Sequence, residues 1–128
     1  MVPSRFSADQ VAMFRRLLER ERQRLSSRLA RDEAEHEGYL HRVSERDPCA
    51  YLSPTSATEE AEQEGRMQLA ERARAELIEV ENALQRIADP HAFGQCERCG
   101  EQISLARLEV LPQARICEAC VAGADIRP

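Results

Sequence analysis

Apolar positions recur at three- and four-residue steps along two long stretches of this chain, with arginine and glutamate filling the gaps. The first stretch runs through Val11, Phe14, Leu18, Leu25 and Leu29 and extends through His36, Leu40 and Val43. Such spacing lines one face of an α-helix. The start is marked at Ser7, where Ser7 and Gln10 stand at capping-box spacing and Phe6 and Val11 at hydrophobic-staple positions. Gly38 weakens the extension, because glycine costs about 1 kcal/mol relative to alanine inside a helix. The pattern breaks from Asp47 to Thr55, where Pro48 and Pro54 flank Cys49-Ala50-Tyr51-Leu52-Ser53. Proline lacks an amide donor and clashes with a preceding helical turn, so this stretch reads as a loop. A second helix is expected from near Ser56, which can cap with Glu59. Its stripe is Leu69, Ala73, Leu77, Val80, Leu84 and Ile87, and it stops at Asp89-Pro90. The run from Glu59 to Arg66 is nearly all polar and is expected to project into solvent.

Two long helices joined by a short loop run antiparallel, and a narrow stripe on each is the seam of a coiled coil. Roughly thirty paired residues would make a rod about 45 Å long at 1.5 Å per residue. No third amphipathic helix is present to complete a bundle. The expected fold class is mainly α, a long antiparallel helical hairpin (coiled coil) followed by a small C-terminal four-cysteine zinc finger. The expected organisation is an N-terminal tail (1–6), the hairpin (7–89) with its tip loop at about 47–57, the finger (90–122) and a C-terminal tail (123–128).

Composition supports a seam rather than a thick core. Of 128 residues, 4% are aromatic, none is tryptophan, and 32% are charged. Large side chains that bury most area are scarce, whereas helices rich in Arg, Glu, Leu and Ala suit the numbers. The net charge of −5 argues against general DNA or RNA binding, which leaves a basic footprint. There is no run of about 18 apolar residues and no signal-peptide core, so a cytoplasmic location without membrane contact is expected. In that reducing compartment, paired CxxC motifs read as metal ligands before disulfides.

The motif is Cys96-Glu97-Arg98-Cys99-Gly100, then Cys117-Glu118-Ala119-Cys120. Two residues between paired cysteines let both sulfurs converge on one ion, while the following backbone amides can donate to the thiolates. Gly100 suits a knuckle that requires positive φ. Four sulfurs at about 2.3 Å close the tetrahedral shell of one structural zinc and leave no position for water or substrate. A disulfide pair and an iron centre are the alternatives for the same residues. Arg98 and Arg115 stand where they could offset the charge of the thiolates. Metal binding is expected to supply much of the folding energy of residues 93–122.

The segment Phe93-Gly94, Cys96 to Cys99, Gly100, Ile103, Arg107-Leu108-Glu109, Pro112, Ala114, Cys117 and Cys120 resembles the DksA/TraR zinc-finger family. Further upstream, Phe14-Arg15-Arg16-Leu17-Leu18-Glu19 is similar to the start of the family's coiled coil, and the likeness covers about residues 7–122. The resemblance implies a bacterial transcription regulator that binds RNA polymerase, not DNA, with its hairpin entering the secondary channel. It also implies departures. The family's tip pattern, Asp-x-x-Asp-x-Ala, falls on Ser53, Ser56 and Thr58 when aligned back from the finger. Aligned on Asp-Pro instead, it keeps Asp47 but puts Ala50 at the second aspartate. Basic family positions around the guanosine tetraphosphate pocket fall on apolar Val80, Leu111 and Val121. A tetraphosphate needs several cationic donors, so dependence on that alarmone through this pocket is not expected.

The residues expected to meet a partner are therefore Asp47, Tyr51, Leu52, Ser53, Ser56 and Thr58, with Arg107 supporting the finger. Tyr51 and Leu52 either mark a contact surface or staple the loop to the helices. Cys49 reads as an ordinary small residue, and His36, His41 and His91 as surface or seam residues without ligand spacing. The competing functions are an adaptor for a non-polymerase protein, on the same scaffold, and a thiol-redox enzyme. The closed zinc shell and the lack of any acid–base dyad, nucleophile elbow or phosphate loop speak against an enzyme.

Overall fold

The computed structural model describes residues 6–46, 54–89 and 91–123. It is mainly helical: α1 (Ala8–Ser44), α2 (Pro54–Arg86), α3 (Leu105–Val110) and α4 (Glu118–Val121) follow in order. Among the described residues there is no strand, and a lone antiparallel bridge joins Gln95 and Gln102.

The capping box at the start of α1 is formed. The Gln10 amide donates to Ser7 Oγ at 3.1 Å and the Ser7 amide donates to Gln10 Oε1 at 2.9 Å. Two amides at a helix start that lack intrahelical partners are thereby satisfied. α1 then runs 37 residues, through Gly38 without interruption. α2 starts at Pro54, two residues ahead of Ser56. The fixed φ of proline suits the first helical position, where no amide donor is needed. Ser56 thus lies inside the first turn instead of capping it, and its side chain is buried. Asp47, Cys49, Tyr51, Leu52 and Ser53 lie outside the described residues.

The chain divides into two compact units, one of Met1–Arg22 with Ile78–Pro128 and the other of Gln23–Leu77. In the second unit α1 and α2 pair antiparallel. Arg74 reaches Glu33 at 3.9 Å, Gln63 meets His36, and Arg46 pairs with Glu59, so contacts step up one helix as they step down the other. The seam on α1 passes through Leu25 and Leu29, then half-buried Asp32, His36, Tyr39, Val43 and Arg46. On α2 it passes through Ser56, Gln63, Ala70 and Ala73, with Leu77 half-buried.

This register overturns two expectations. Leu69 is 46% exposed and Leu40 is 51% exposed, because the seven-residue repeat Ser56–Gln63–Ala70–Leu77 and the neighbouring Tyr39 occupy the seam instead. Nor does the polar stretch from Glu59 to Arg66 face only solvent, since Gln63 is 5% exposed.

In the other unit a core forms at the ends of the long helices. All three phenylalanines of the chain meet there, with ring centroids 5.4 Å (Phe6–Phe14), 5.5 Å (Phe14–Phe93) and 6.1 Å (Phe6–Phe93) apart. Val11, Leu18, Val80, Ala83, Ile87, Ile103 and Leu108 are buried in the same unit. The zinc-finger segment thus contributes Phe93, Ile103 and Leu108 as apolar anchors.

Candidate metal centre

Two chain turns deliver the four cysteines. The first follows Phe93 and Gly94. The Ile103 amide donates to the Gly94 carbonyl at 2.8 Å and the Cys96 amide to the Glu101 carbonyl at 2.8 Å, closing a tight loop. Within it the Gly100 amide donates to the Cys96 carbonyl at 3.0 Å, and Gly100 sits at φ 77°, where a side chain would be strained. The second turn is the start of α4. Cys117 caps it in extended conformation and the Val121 amide donates to the Cys117 carbonyl at 3.0 Å, which places Cys120 inside the helix. Between the turns, Ser104 caps α3 by accepting from the Arg107 amide at 3.2 Å.

The four Sγ atoms all lie within 4.8 Å of one another. Cys96 and Cys120 approach to 3.8 Å and Cys99 and Cys117 to 3.6 Å. Zinc–sulfur bonds of about 2.3 Å in a tetrahedron put neighbouring sulfurs about 3.8 Å apart. Disulfides need about 2.05 Å. The donor set therefore fits one zinc ion with a closed thiolate shell, and no histidine takes part among the described residues. Cys96 and Cys120 are buried, Cys117 is half-buried, and Cys99 is exposed.

The site's electrostatics are uneven. Burial pushes the Cys96 thiol up, but backbone amides of Cys99, Cys117 and Arg98 outweigh it and bring Cys96 down to about 6. One of these donors, the Cys117 amide, stands 3.3 Å from Cys96 Sγ. At Cys99 a hydrogen bond from the Glu101 backbone favours the thiolate, yet desolvation and the neighbouring sulfurs Cys96 and Cys117 leave it above its ordinary value. Burial, followed by the sulfurs of Cys117, Cys96 and Cys99, pushes Cys120 up to about 12. Without metal, one thiol in the tetrad is primed to ionise and two resist. A divalent cation removes that resistance.

Around the tetrad stands a polar support that sequence reasoning missed in part. Arg115 Nε reaches Glu79 of α2 at 2.7 Å and its Nη1 reaches Glu97 at 3.2 Å. Arg115 is thus engaged by carboxylates instead of offsetting the thiolates. Its carbonyl accepts from the Glu97 amide at 2.9 Å, tying the two cysteine turns together. Arg86 donates to the Gln113 carbonyl at 3.4 Å. Burial lowers the Arg86 pKa, with Glu97 opposing, Arg115 reinforcing and Glu79 opposing. Glu79 carries no local signal, being one of many glutamates on α2. Arg107 Nε donates to the Ile116 carbonyl at 3.2 Å, immediately before Cys117. His91 is exposed. Of the partner-facing set, Thr58 is exposed and Ser56 is buried, so the Ser56 side chain is not presented to a partner.

Comparison with known proteins agrees with this geometry. Residues 91–124 match the family described as prokaryotic dksA/traR C4-type zinc finger. The chain is 34% identical over 119 residues to the RNA polymerase-binding transcription factor DksA of Escherichia coli (strain K12), covering 92% of this chain and 73% of that protein. The Haemophilus influenzae protein of the same name is 37% identical over 71 residues, 56% of this chain and 48% of that one. Transcription factor DksA2 from Pseudomonas aeruginosa superposes with a TM-score of 0.72 at 28% identity, covering 94% of this chain and 87% of that one. The likeness to DksA2 extends over the long helices as well as the finger. The chain belongs to the DksA/TraR C4-type zinc-finger family.

Proposed function

We propose that this chain is a non-enzymatic regulator of transcription that binds bacterial RNA polymerase through the enzyme's secondary channel, without direct nucleic-acid contact. The observation that carries the reading is the 34% identity to an RNA polymerase-binding factor across 92% of this chain. That likeness takes in the helices as well as the finger. The net charge of −5 is in keeping with a protein partner in preference to DNA. No helix among the described residues is long and apolar enough to cross a membrane, and the polymerase places the action in the cytoplasm.

In this reading Cys96, Cys99, Cys117 and Cys120 hold the zinc and Arg107 braces the turn that presents Cys117. The connection between α1 and α2 meets the polymerase, through Asp47, Tyr51, Leu52, Ser53 and Thr58. Guanosine tetraphosphate is not required. Leu111 and Val121 are 39% and 56% exposed, and Val80 is fully buried, where cations would have to stand. The test is copurification with purified polymerase and in-vitro transcription, with and without the alarmone. Binding should disappear when residues 47–58 are replaced by a short Gly/Ser connection, and any effect on transcription should be the same with and without the alarmone. Undiminished binding by the replaced chain would sink the tip reading.

A further inference from the structure

In the unit of residues 23–77 the seam changes character partway along. As far as Leu29 on α1 and Ala70 on α2 its buried side chains are apolar. Beyond them, toward Ser44 and Pro54, the described residues bury only Gln63 and Ser56 fully, and both are polar. Gln63 Nε2 and His36 Nδ1 stand 2.5 Å apart. The other polar atom of that amide, Oε1, is buried with no protein partner. Turning the amide over would leave its nitrogen in the same position, so this rung of the seam always carries one unmet hydrogen-bonding group.

A mid-helix glycine lies within two residues of the rung on each helix, Gly38 on α1 and Gly65 on α2. Neither is required by backbone conformation, since positive φ occurs only at Gly94, Gly100 and Gly123 among the described glycines. Neither is required by packing. A Cβ at Gly65 would meet nothing within 4 Å, and one at Gly38 only the end of the Arg42 side chain at 3.5 Å. Both helices therefore carry their least favourable ordinary residue at nearly one level, about 3 Å along the axis to either side of the rung at 1.5 Å per residue.

We propose that this level is a hinge, where α1 and α2 bend together and residues 39–46 and 54–64 change direction as one piece. Three softening features coincide: helix-weakening residues in both helices of the pair, a polar rung with an unmet group, and, among the described residues, no fully buried apolar side chain beyond it. The adjoining segment toward Leu25 and Ala73 has an apolar seam and no glycine, and it stays fixed. The inference does not depend on which partner the chain binds.

The test is site-resolved amide hydrogen exchange on the zinc-loaded full chain, comparing wild type with Gly38→Ala, Gly65→Ala and the double variant. Both alanines fit without displacement, so all three variants should fold. Amides 38–42 and 65–69, whose helical hydrogen bonds span the glycines, should exchange faster in the wild type than amides 25–30 and 70–77. Each single substitution should slow the spanning amides of both helices about fivefold, and the double about 25-fold. The cross-helix effect is what a shared hinge demands. Slowing confined to the substituted helix, or equal slowing throughout residues 23–77, would overturn the proposal.

Discussion

Phe93 and Arg115 both fasten the zinc-bearing segment to the ends of the long helices, and their worth differs. Phe93 is 3% exposed and packs on Phe6 and Phe14. Truncating a buried phenylalanine costs about 3–5 kcal/mol. Arg115 and its partner Glu79 have side chains 42% and 36% exposed, and pairs screened by solvent contribute about 1 kcal/mol or less. Phe93→Ala is therefore expected to lower stability several-fold more than Arg115→Ala, as read by urea unfolding of the zinc-loaded protein. The reverse order would show that the ion pairs carry the docking. At this scale the sequence spoke clearly wherever the partners are close along the chain: the Ser7–Gln10 box, the two CxxC turns and Gly100. It marked Gly94 only through the family likeness and gave no physical reason for it, because the close approach that demands a glycine there is not local. With φ at 83°, a Cβ at Gly94 would lie 2.5 Å from Phe6 Cε2, an atom brought there from the other end of the sequence.

At the scale of elements, both long helices and their antiparallel pairing were legible from period alone, yet the face of α2 was assigned from its leucines. Ala73, Leu77, Val80 and Ile87 were placed on the buried face, but the stripe missed its seam at Leu69, where Ala70 takes the place, and stopped short of Gln63 and Ser56. Helix faces are set by the repeat that keeps contact with the partner helix, and small or polar residues on that repeat give a weak hydrophobic signal. The polar rung invites a direct measurement. Removing one partner leaves the other unpaired, whereas replacing both by apolar groups of similar size is neutral or stabilising. Gln63→Ala should lower the melting temperature, and the double variant His36→Leu with Gln63→Leu should match or exceed the wild type by about 1 kcal/mol. A double variant less stable than Gln63→Ala would mean that the polar pair itself holds the register.

For the molecule as a whole, metal dependence should be unequally shared. The four clustered cysteines, Cys96, Cys99, Cys117 and Cys120, all belong to the unit of Met1–Arg22 with Ile78–Pro128. Chelation of zinc is expected to make the amides of residues 95–122 exchange rapidly while the helical circular dichroism from residues 23–77 persists. Acid should act in the same direction as chelation. Zinc takes thiolates, and in the metal-free tetrad Cys120 stands at about 12 and Cys99 above its ordinary value, so both must shed protons on binding. Apparent zinc affinity should fall at least about 100-fold for each pH unit lost between pH 8 and 6, steepening as Cys96 protonates near 6. A pH-independent affinity in a competition titration would refute the thiolate assignment.

The aromatic cluster has a consequence for the order in which the chain can be completed on the ribosome. Arg46–Glu59 and His36–Gln63 join residues only 13 and 27 apart, so the paired helices can zip as soon as α2 emerges. Phe6 and Phe14 must wait for Phe93, and the tetrad must wait for Cys120. Until then Phe6 and Phe14 lack the Phe93 face of the cluster in the nascent chain, and a premature stop after α2 would leave them so permanently. Such a truncated product would be helical, zinc-free and prone to self-association through exposed rings.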